Sequence, residues 1–432
     1  MKFITDASLA FFISFIFLTG CNGNDEKIII KELNTNNLEA SGPYFTQDHK
    51  GNQVLCWTEQ DSKDSLYTLK YAVYNHDSNS FGPAVTIPAS KGMKPSSESM
   101  GKVGFKNDGT VFAIYAKPFK NEKNRFAGAI YYTFSTDNGV NWAKQRFLHS
   151  DTSHHYGRSF FDLAKLKNGG LGVIWLDGRF GKSIRGSSLF YASTEKEASF
   201  TNERCLAKGT CECCRTDILT DENGNIHVAY RSILFPNALL GEQVRDMVYS
   251  VSKDNGRTFS EPQLISKDNW KIDGCPHSGP TLAINSGSVN AVWFTAGGTP
   301  GLYRTSSPDL SSSFNHRTLL SSNGRHPQSI SLDSKTVAIV YEESAETKHT
   351  ANPGGSHNSM AGHQHNSPNA RIVLTSLSNQ NNIKTVSITD GKQPEHHAVL
   401  TRSKNELLLA WVRETNGRSR IVYSRIKSDE SN

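Results

Sequence analysis

Short apolar runs separated by polar turns recur along the chain, and seven of them end in an aromatic residue. In order they are Val54-Leu55-Cys56-Trp57, Val111-Phe112-Ala113-Ile114-Tyr115, Leu171-Gly172-Val173-Ile174-Trp175, Ile226-His227-Val228-Ala229-Tyr230, Val289-Asn290-Ala291-Val292-Trp293, Val337-Ala338-Ile339-Val340-Tyr341 and Leu407-Leu408-Leu409-Ala410-Trp411. Runs this short, rich in β-branched and aromatic residues and bounded by Asn, Asp and Gly, are the pattern of buried strands. Each follows a polar turn such as Asn107-Asp108-Gly109 and, before that, another short strand. Each is followed by a third strand, for example Tyr131-Tyr132-Thr133-Phe134 or Val248-Tyr249-Ser250-Val251. A unit of this kind repeating every roughly 50 to 70 residues, with little helical periodicity between, predicts an all-β fold: a β-propeller of four-stranded antiparallel blades. The count predicts seven blades, with six as the alternative. The last repeat, from His396 to Lys427, has only three strands, so the ring is expected to close with Ile28-Ile29-Ile30-Lys31-Glu32-Leu33. Closure of that kind leaves no open sheet edge.

Ahead of that strand, Lys2 and an apolar run from Leu9 to Leu18 lead into Leu18-Thr19-Gly20-Cys21. The run falls short of the ~20 apolar residues a membrane helix needs. It reads as a secretory signal over residues 1–21, and its end resembles the lipobox of bacterial lipoproteins, with Cys21 as the acylated residue. Residues 22–27 are then a tether and 28–432 a single propeller domain. The expected location is a bacterial membrane, periplasm-facing or on the cell surface, with the outer membrane favoured. Although the formal charge is +6, Lys and Arg are scattered and form no block or stripe, so nucleic acid is not an expected partner. A monomer is expected.

Chemistry should collect where the inner strands begin, because those ends converge on the propeller axis. The third blade opens with Ser153-His154-His155-Tyr156-Gly157-Arg158, the fourth with Cys211-Glu212-Cys213-Cys214-Arg215, and the fifth with Cys275-Pro276-His277-Ser278-Gly279-Pro280. The sixth opens with Arg325-His326-Pro327 and the seventh with Glu395-His396-His397, whereas the first two offer only Ser41-Gly42-Pro43 and Ser96 to Lys102. A His-rich loop over 345–370, with His349, His357, Met360, His363 and His365, opens on the same face. Imidazole and thiolate together suit copper, or alternatively zinc, rather than calcium or magnesium. The candidate ligands are Cys211, Cys213, Cys214, Cys275, His277, His154, His155, His326 and His397, more than the four or five that one ion takes. The structural alternative is disulfides. Six cysteines remain after acylation of Cys21 and allow 15 pairings, among them a Cys205–Cys211 staple with a Cys214–Cys275 bridge. Cys56, beside Trp57 in an apolar strand, reads as a buried free thiol.

Two turns carry a family resemblance. Ser135-Thr136-Asp137-Asn138-Gly139-Val140-Asn141-Trp142 and Ser252-Lys253-Asp254-Asn255-Gly256-Arg257-Thr258-Phe259 resemble the Asp-box, Ser-x-Asp-x-Gly-x-x-Trp/Phe, of the sialidase-like BNR-repeat propellers. Ser307 to Phe314 keeps all but the glycine. The whole mature chain also resembles bacterial lipoproteins called exo-α-sialidase by fold. It shares with them the Cys-x-Cys-Cys-Arg head, Val244-Arg245-Asp246, and the stretch from Trp270 to Pro280. This resemblance implies that blades four and five work as a unit, with Cys213, Cys214, Arg215, Cys275 and His277 facing one another.

It also implies a glycosidase reading, in which arginines hold a substrate carboxylate and a Tyr nucleophile, a Glu and an Asp do the chemistry. On that reading Arg158, Arg215 and Arg231 are the carboxylate-binding candidates, and Asp177 and Arg179 sit at the rim as acid and fork. The sequence departs from the family early. The Phe/Tyr-Arg-Ile-Pro motif with the first arginine should precede the first Asp-box, yet no arginine precedes Arg125. Tyr341-Glu342 cannot serve as nucleophile pair, since strand neighbours point to opposite faces. A third class is a non-catalytic platform that takes a glycan or protein ligand at the funnel.

Overall fold

The computed structural model describes residues 28–194, 198–237, 241–272, 274, 277–344, 370–378 and 382–427. Cys21, the tether 22–27, Cys275 and the histidines of the long loop lie outside the described residues.

All seven apolar runs are second strands of antiparallel sets. The first set is Ala40–Gln47, Gln53–Gln60 and Tyr67–Asn75 with the short Val85–Thr86. The second is Lys102–Phe105, Val111–Pro118, Gly128–Ser135 and Arg146–Phe147, and the third Arg158–Lys165, Leu171–Asp177, Ser187–Thr194 and Phe200–Thr210. The fourth, Asp217–Thr220, Ile226–Asn237, Glu242–Ser252 and Gln263–Leu264, touches the third through one Thr210–Ser232 pair. The fifth is Thr281–Asn285, Ser288–Thr295, Gly301–Ser307 and Thr318–Ser321; the sixth is Gly324–Ser331, Thr336–Ser344, Ala370–Ser378 and Ile383–Ser387. The last set, Glu395–Ser403, Glu406–Thr415 and Arg418–Lys427, takes its fourth strand from the N-terminal side: Ile30–Glu32 pairs with it in the register Ile30↔Ser424. Pairing the two chain ends in one sheet closes the ring of a β-propeller, and the residues that close it are those expected.

The core is divided among the seams between neighbouring sets. Leu55 and Trp57 meet Leu408 and Ala410 across the closure. Phe112 and Ile130 meet Val173 and Trp175 between the second and third sets, and comparable clusters fill the other seams. Hydrophobic burial therefore holds each blade to its neighbours.

Asp-box turns behave as the sequence implies. Ser135 Oγ donates to Asp137 Oδ1 (2.7 Å) and accepts from the Gly139 amide (2.8 Å), while Asp137 accepts from the Asn141 amide (2.9 Å). The second copy repeats this at Ser252, Asp254, Gly256 and Thr258. Gly139 and Gly256 take φ of 86° and 82°, the left-handed region open to glycine at little cost.

A further repeat was not anticipated. Four tryptophans, Trp57, Trp175, Trp293 and Trp411, are fully buried in second strands, and each donates its indole N–H to a carboxylate. The acceptors are Glu59 (2.9 Å), Asp177 (3.1 Å), Asp268 (2.8 Å) and Glu395 (3.1 Å). Each carboxylate is in turn clamped by a cation: Lys70, Arg179, Arg317 and Arg413 respectively. This Trp–acid–cation triad recurs in the first, third, fifth and seventh sets and satisfies a buried N–H at each place.

Candidate functional site

The inner strands do not start smoothly. Register slips by a residue between Ser41 and Tyr44, Ser159 and Asp162, Arg325 and Gln328, and His396 and Val399. At each slip one residue takes positive φ: Gly42 at 62°, Phe160 at 51°, His326 at 47° and His397 at 55°. A bulge of this kind re-aims a side chain: Phe160 comes to pack on the cysteines of the fourth head, and His326 and His397 come to stack on each other. Three of the four positions bear the cost of a left-handed non-glycine residue, which is typical of functional sites.

At the fourth head Cys211, Cys213 and Cys214 fold into one buried turn. Cys211 Sγ lies 3.3 Å from Cys214 Sγ and 3.7 Å from Cys213 Sγ, and the Phe160 ring packs against the trio. Arg245 Nη1 reaches Cys211 Sγ at 3.2 Å and Glu212 Oε2 at 3.0 Å. The sulfurs of Cys213 and Cys214 beside it, with the Arg231 guanidinium a lesser contribution, shift Cys211 downward from the ordinary thiol range. Burial, then the neighbouring Cys211, pushes Cys214 up to about 12. Cys205 and Cys211 are both free thiols, so a Cys205–Cys211 staple is not formed. Cys205 is exposed on the outer strand and faces Ala207 O, while Cys56 is buried as expected.

A second cluster lies across the axis. Glu98 Oε1 is 3.5 Å from His326 Nε2 and 3.2 Å from His397 Nε2, and Glu98 Oε2 is 3.2 Å from Arg215 Nε. His326 Nδ1 bonds Glu342 Oε1, and Glu342 Oε2 accepts the His397 amide at 3.0 Å. The two imidazoles stack at 4.9 Å. Burial works to raise Glu98, but Arg215, His326 and His397 outweigh it and hold it down to about 2. Burial likewise opposes charge on His326, and Glu342 and Glu98 override it in the upward direction. The sequence reading missed Glu98 and Glu342. Glu98 is the only carboxylate between Ser96 and Lys102, so it was findable there; Glu342 was weighed only as a partner for Tyr341.

Lys102 Nζ sits 3.5 Å from Asp162 Oδ1 and donates to Phe161 O at 2.7 Å. Burial, then the Asp162 carboxylate, pushes Asp217 up to about 8. Two acids and a lysine thus form one charged cluster on the first strands of the second, third and fourth sets.

The heads of blades four and five approach closely at Gly279 and Arg215; Cys275, one of the residues the resemblance implied would face this head, lies outside the described residues. A Cβ on Gly279 would sit 2.2 Å from Arg215 O, so only glycine allows that approach. Asp246 caps the Asn269 and Trp270 amides (2.9 and 3.1 Å), and Arg231 lies over the Trp270 ring at 4.8 Å. The other sequence candidates are dispersed. His154 stacks on Phe119 at 3.8 Å, His155 bonds Asn124 through its carbonyl, and His277, at φ 48°, heads the fifth blade outside both clusters.

The arginines do not converge. Arg158 binds Asp177 and Asp151, Arg215 binds Glu98, and Arg231 donates to the carbonyls of Arg245, Ser278 and Phe294. Asp177 is fully buried between Arg158 and Arg179 as part of the third blade's triad, not at an open rim. Burial acts to raise it, and the two arginines win and hold it below its ordinary range, the opposite of what a general acid needs.

With the repeats and heads in place, comparison with known proteins gives the family: the BNR repeat-like domain matches residues 68–324, more than half of the chain. The chain belongs to the BNR repeat-like domain family. Among curated proteins none matches the sequence. This BNR-repeat protein resembles the polysaccharide lyase Uly1, with a TM-score of 0.55 at 12% identity over 90% of each chain. A Dyadobacter fermentans protein of unknown function matches with a TM-score of 0.50 at 12% identity, over 92% of this chain and 99% of its own. The NanB sialidase of Streptococcus pneumoniae matches at 0.46 and 10% identity, over 90% and 86%. At such identities the shared property is the propeller fold.

Proposed function

We propose that this BNR-repeat protein is a copper-binding propeller, lipid-anchored through Cys21 outside the cytoplasm, with the thiol trio of its fourth head as the metal site. The observation that carries the reading is the trio itself: three sulfurs from one buried turn, two of them 3.3 and 3.7 Å from Cys211, with a guanidinium 3.2 Å away. Sulfurs around a metal at about 2.3 Å lie about 4 Å apart, so a small outward shift accommodates an ion. Three thiolates need positive compensation in a buried place, and Arg245 supplies it directly. Three soft sulfur ligands suit copper(I), with zinc the alternative.

The test is metal analysis of the mature chain purified without chelator or His tag and loaded with copper(I) under reducing conditions. About one copper per chain at this site is expected, lost in Cys213→Ser and in Cys214→Ser and kept in Cys56→Ser. No copper in the wild type, or a Cys211–Cys214 disulfide found by mass spectrometry of protein from cells, would overturn the reading.

A glycan-directed activity is the second reading, favoured by family membership and by the fold shared with a polysaccharide lyase. It needs a carboxylate-binding site other than Arg158, Arg215 and Arg231, each tied to separate partners. Turnover of a sialoside or polyuronide by Cys213→Ser protein at the wild-type rate would move the function to that reading.

A further inference from the structure

The axial funnel holds a second constellation that the thiol trio does not use. Glu98 comes from the segment before the second blade, His326 from the sixth head and His397 from the seventh. Residues so far apart in sequence meet only because the ring closes. We infer that Glu98, His326 and His397 form a separate site for a borderline divalent cation of the zinc type, bound through one carboxylate oxygen and two imidazole nitrogens.

Three independent features point there. The first is spacing. Ligands about 2.0–2.1 Å from a tetrahedral ion lie about 3.3 Å from one another. Glu98 Oε1 stands 3.2 Å from His397 Nε2 and 3.5 Å from His326 Nε2, and all three ligand atoms fall within 4.8 Å. The second is orientation. His326 gives its Nδ1 to Glu342, so its Nε2 faces Glu98, the carboxylate–histidine arrangement that fixes metal-binding imidazoles. Glu342 also grips the His397 amide with its other oxygen, so one buried carboxylate positions both rings. The third is backbone: both histidines sit at positive φ on equivalent bulges, held in an uncommon conformation that places both rings on the axis. Neither buried Glu98 oxygen has a hydrogen bond of good geometry, although Arg215 Nε stands 3.2 Å from Oε2 as an ion-pair partner. The competing occupant of the same spot is a proton on His326 Nε2, bridging Glu342 and Glu98 without any ion.

Cobalt(II) titration of the metal-free mature protein distinguishes these. The site predicts saturable visible d–d absorption without a thiolate-to-cobalt charge-transfer band. That signal should persist in the Cys213→Ser/Cys214→Ser double variant and weaken at least 100-fold in apparent affinity in Glu98→Gln and in His397→Gln. Glu342→Gln loses the charge and keeps a single acceptor oxygen for two donors, His326 Nδ1 and the His397 amide, and should weaken cobalt by about 10–100-fold. Zinc should displace cobalt from the same site. Absence of saturable cobalt binding to folded wild-type protein, or a signal abolished by the cysteine substitutions and untouched by Glu98→Gln, would overturn the inference and favour the bridging proton.

Discussion

Asp177→Ala is expected to destabilise the protein by about 3 kcal/mol, at the low end of the 3–5 kcal/mol range for removing one partner of a buried ion pair. The side chains of Asp177 and Arg158 are fully buried, and Asp177 also holds Arg179 and the Trp175 indole. Alanine strands all three groups, although Arg158 keeps Asp151 at 2.8 Å, which places the cost at the lower end. The comparison that gives the number meaning is Asp268→Ala. Asp268 holds Trp293 and Arg317 in the fifth blade in the same way and carried no catalytic expectation. Chemical denaturation of both variants should show losses of similar size. A stable Asp177→Ala protein that had lost a glycosidase activity would show that Asp177 is kept for chemistry and not for the triad.

The second large effect is a pH-dependent gain in stability from Asp217→Asn. Burial and Asp162 raise the folded-state value of Asp217 to about 8, against an ordinary 3.8. Between those values the folded protein keeps a proton that the unfolded chain has released. Stability of the wild type therefore falls with rising pH across this window, by at most about 1.4 kcal/mol per pH unit. Asparagine has no proton to lose, still accepts from the Leu282 amide, and can donate to Asp162. Unfolding free energies of the two proteins should run parallel below about pH 4, diverge in favour of Asp217→Asn up to about pH 8, and run parallel again above it. A constant offset across that range would mean that Asp217 is ionised in the fold and that the cluster with Asp162 and Lys102 is organised differently.

Much of the fold was legible in the sequence because propeller strands announce themselves locally. Each apolar run such as Val337 to Tyr341 is buried on both faces, so it reads as a short continuous block bounded by turn residues. The closing strand was legible by elimination, since the repeat ending at Lys427 lacked a partner that Ile30–Glu32 could supply. The Asp-box turns were legible because their hydrogen bonds fall within five residues.

The site was less so, for the opposite reason. The trio Cys211, Cys213 and Cys214 is local and was found. The partners that decide its chemistry are not local: Arg245 comes from another strand of the blade, and Phe160 from the blade before. Of nine proposed ligands the fold brings together two separate groups, the three cysteines and the pair His326 and His397, and it adds Glu98, which the sequence reading passed over. His154 and His155 share a blade head yet end up against Phe119 and Asn124, because a loop can turn either way from its strand. Asp177 with Arg179 looked like a rim pair after Trp175. Only the fold shows the same arrangement at Glu59, Asp268 and Glu395, and Asp268 does not even lie on the strand that bears its tryptophan.

The most direct test of the copper reading is X-ray absorption at the copper edge on copper-loaded mature protein. The trio predicts copper(I) in a shell of three sulfurs, with the sulfur scattering reduced in Cys214→Ser. A spectrum fitted by nitrogen and oxygen alone, unchanged by that substitution, would contradict it and leave the thiols as a structural cluster.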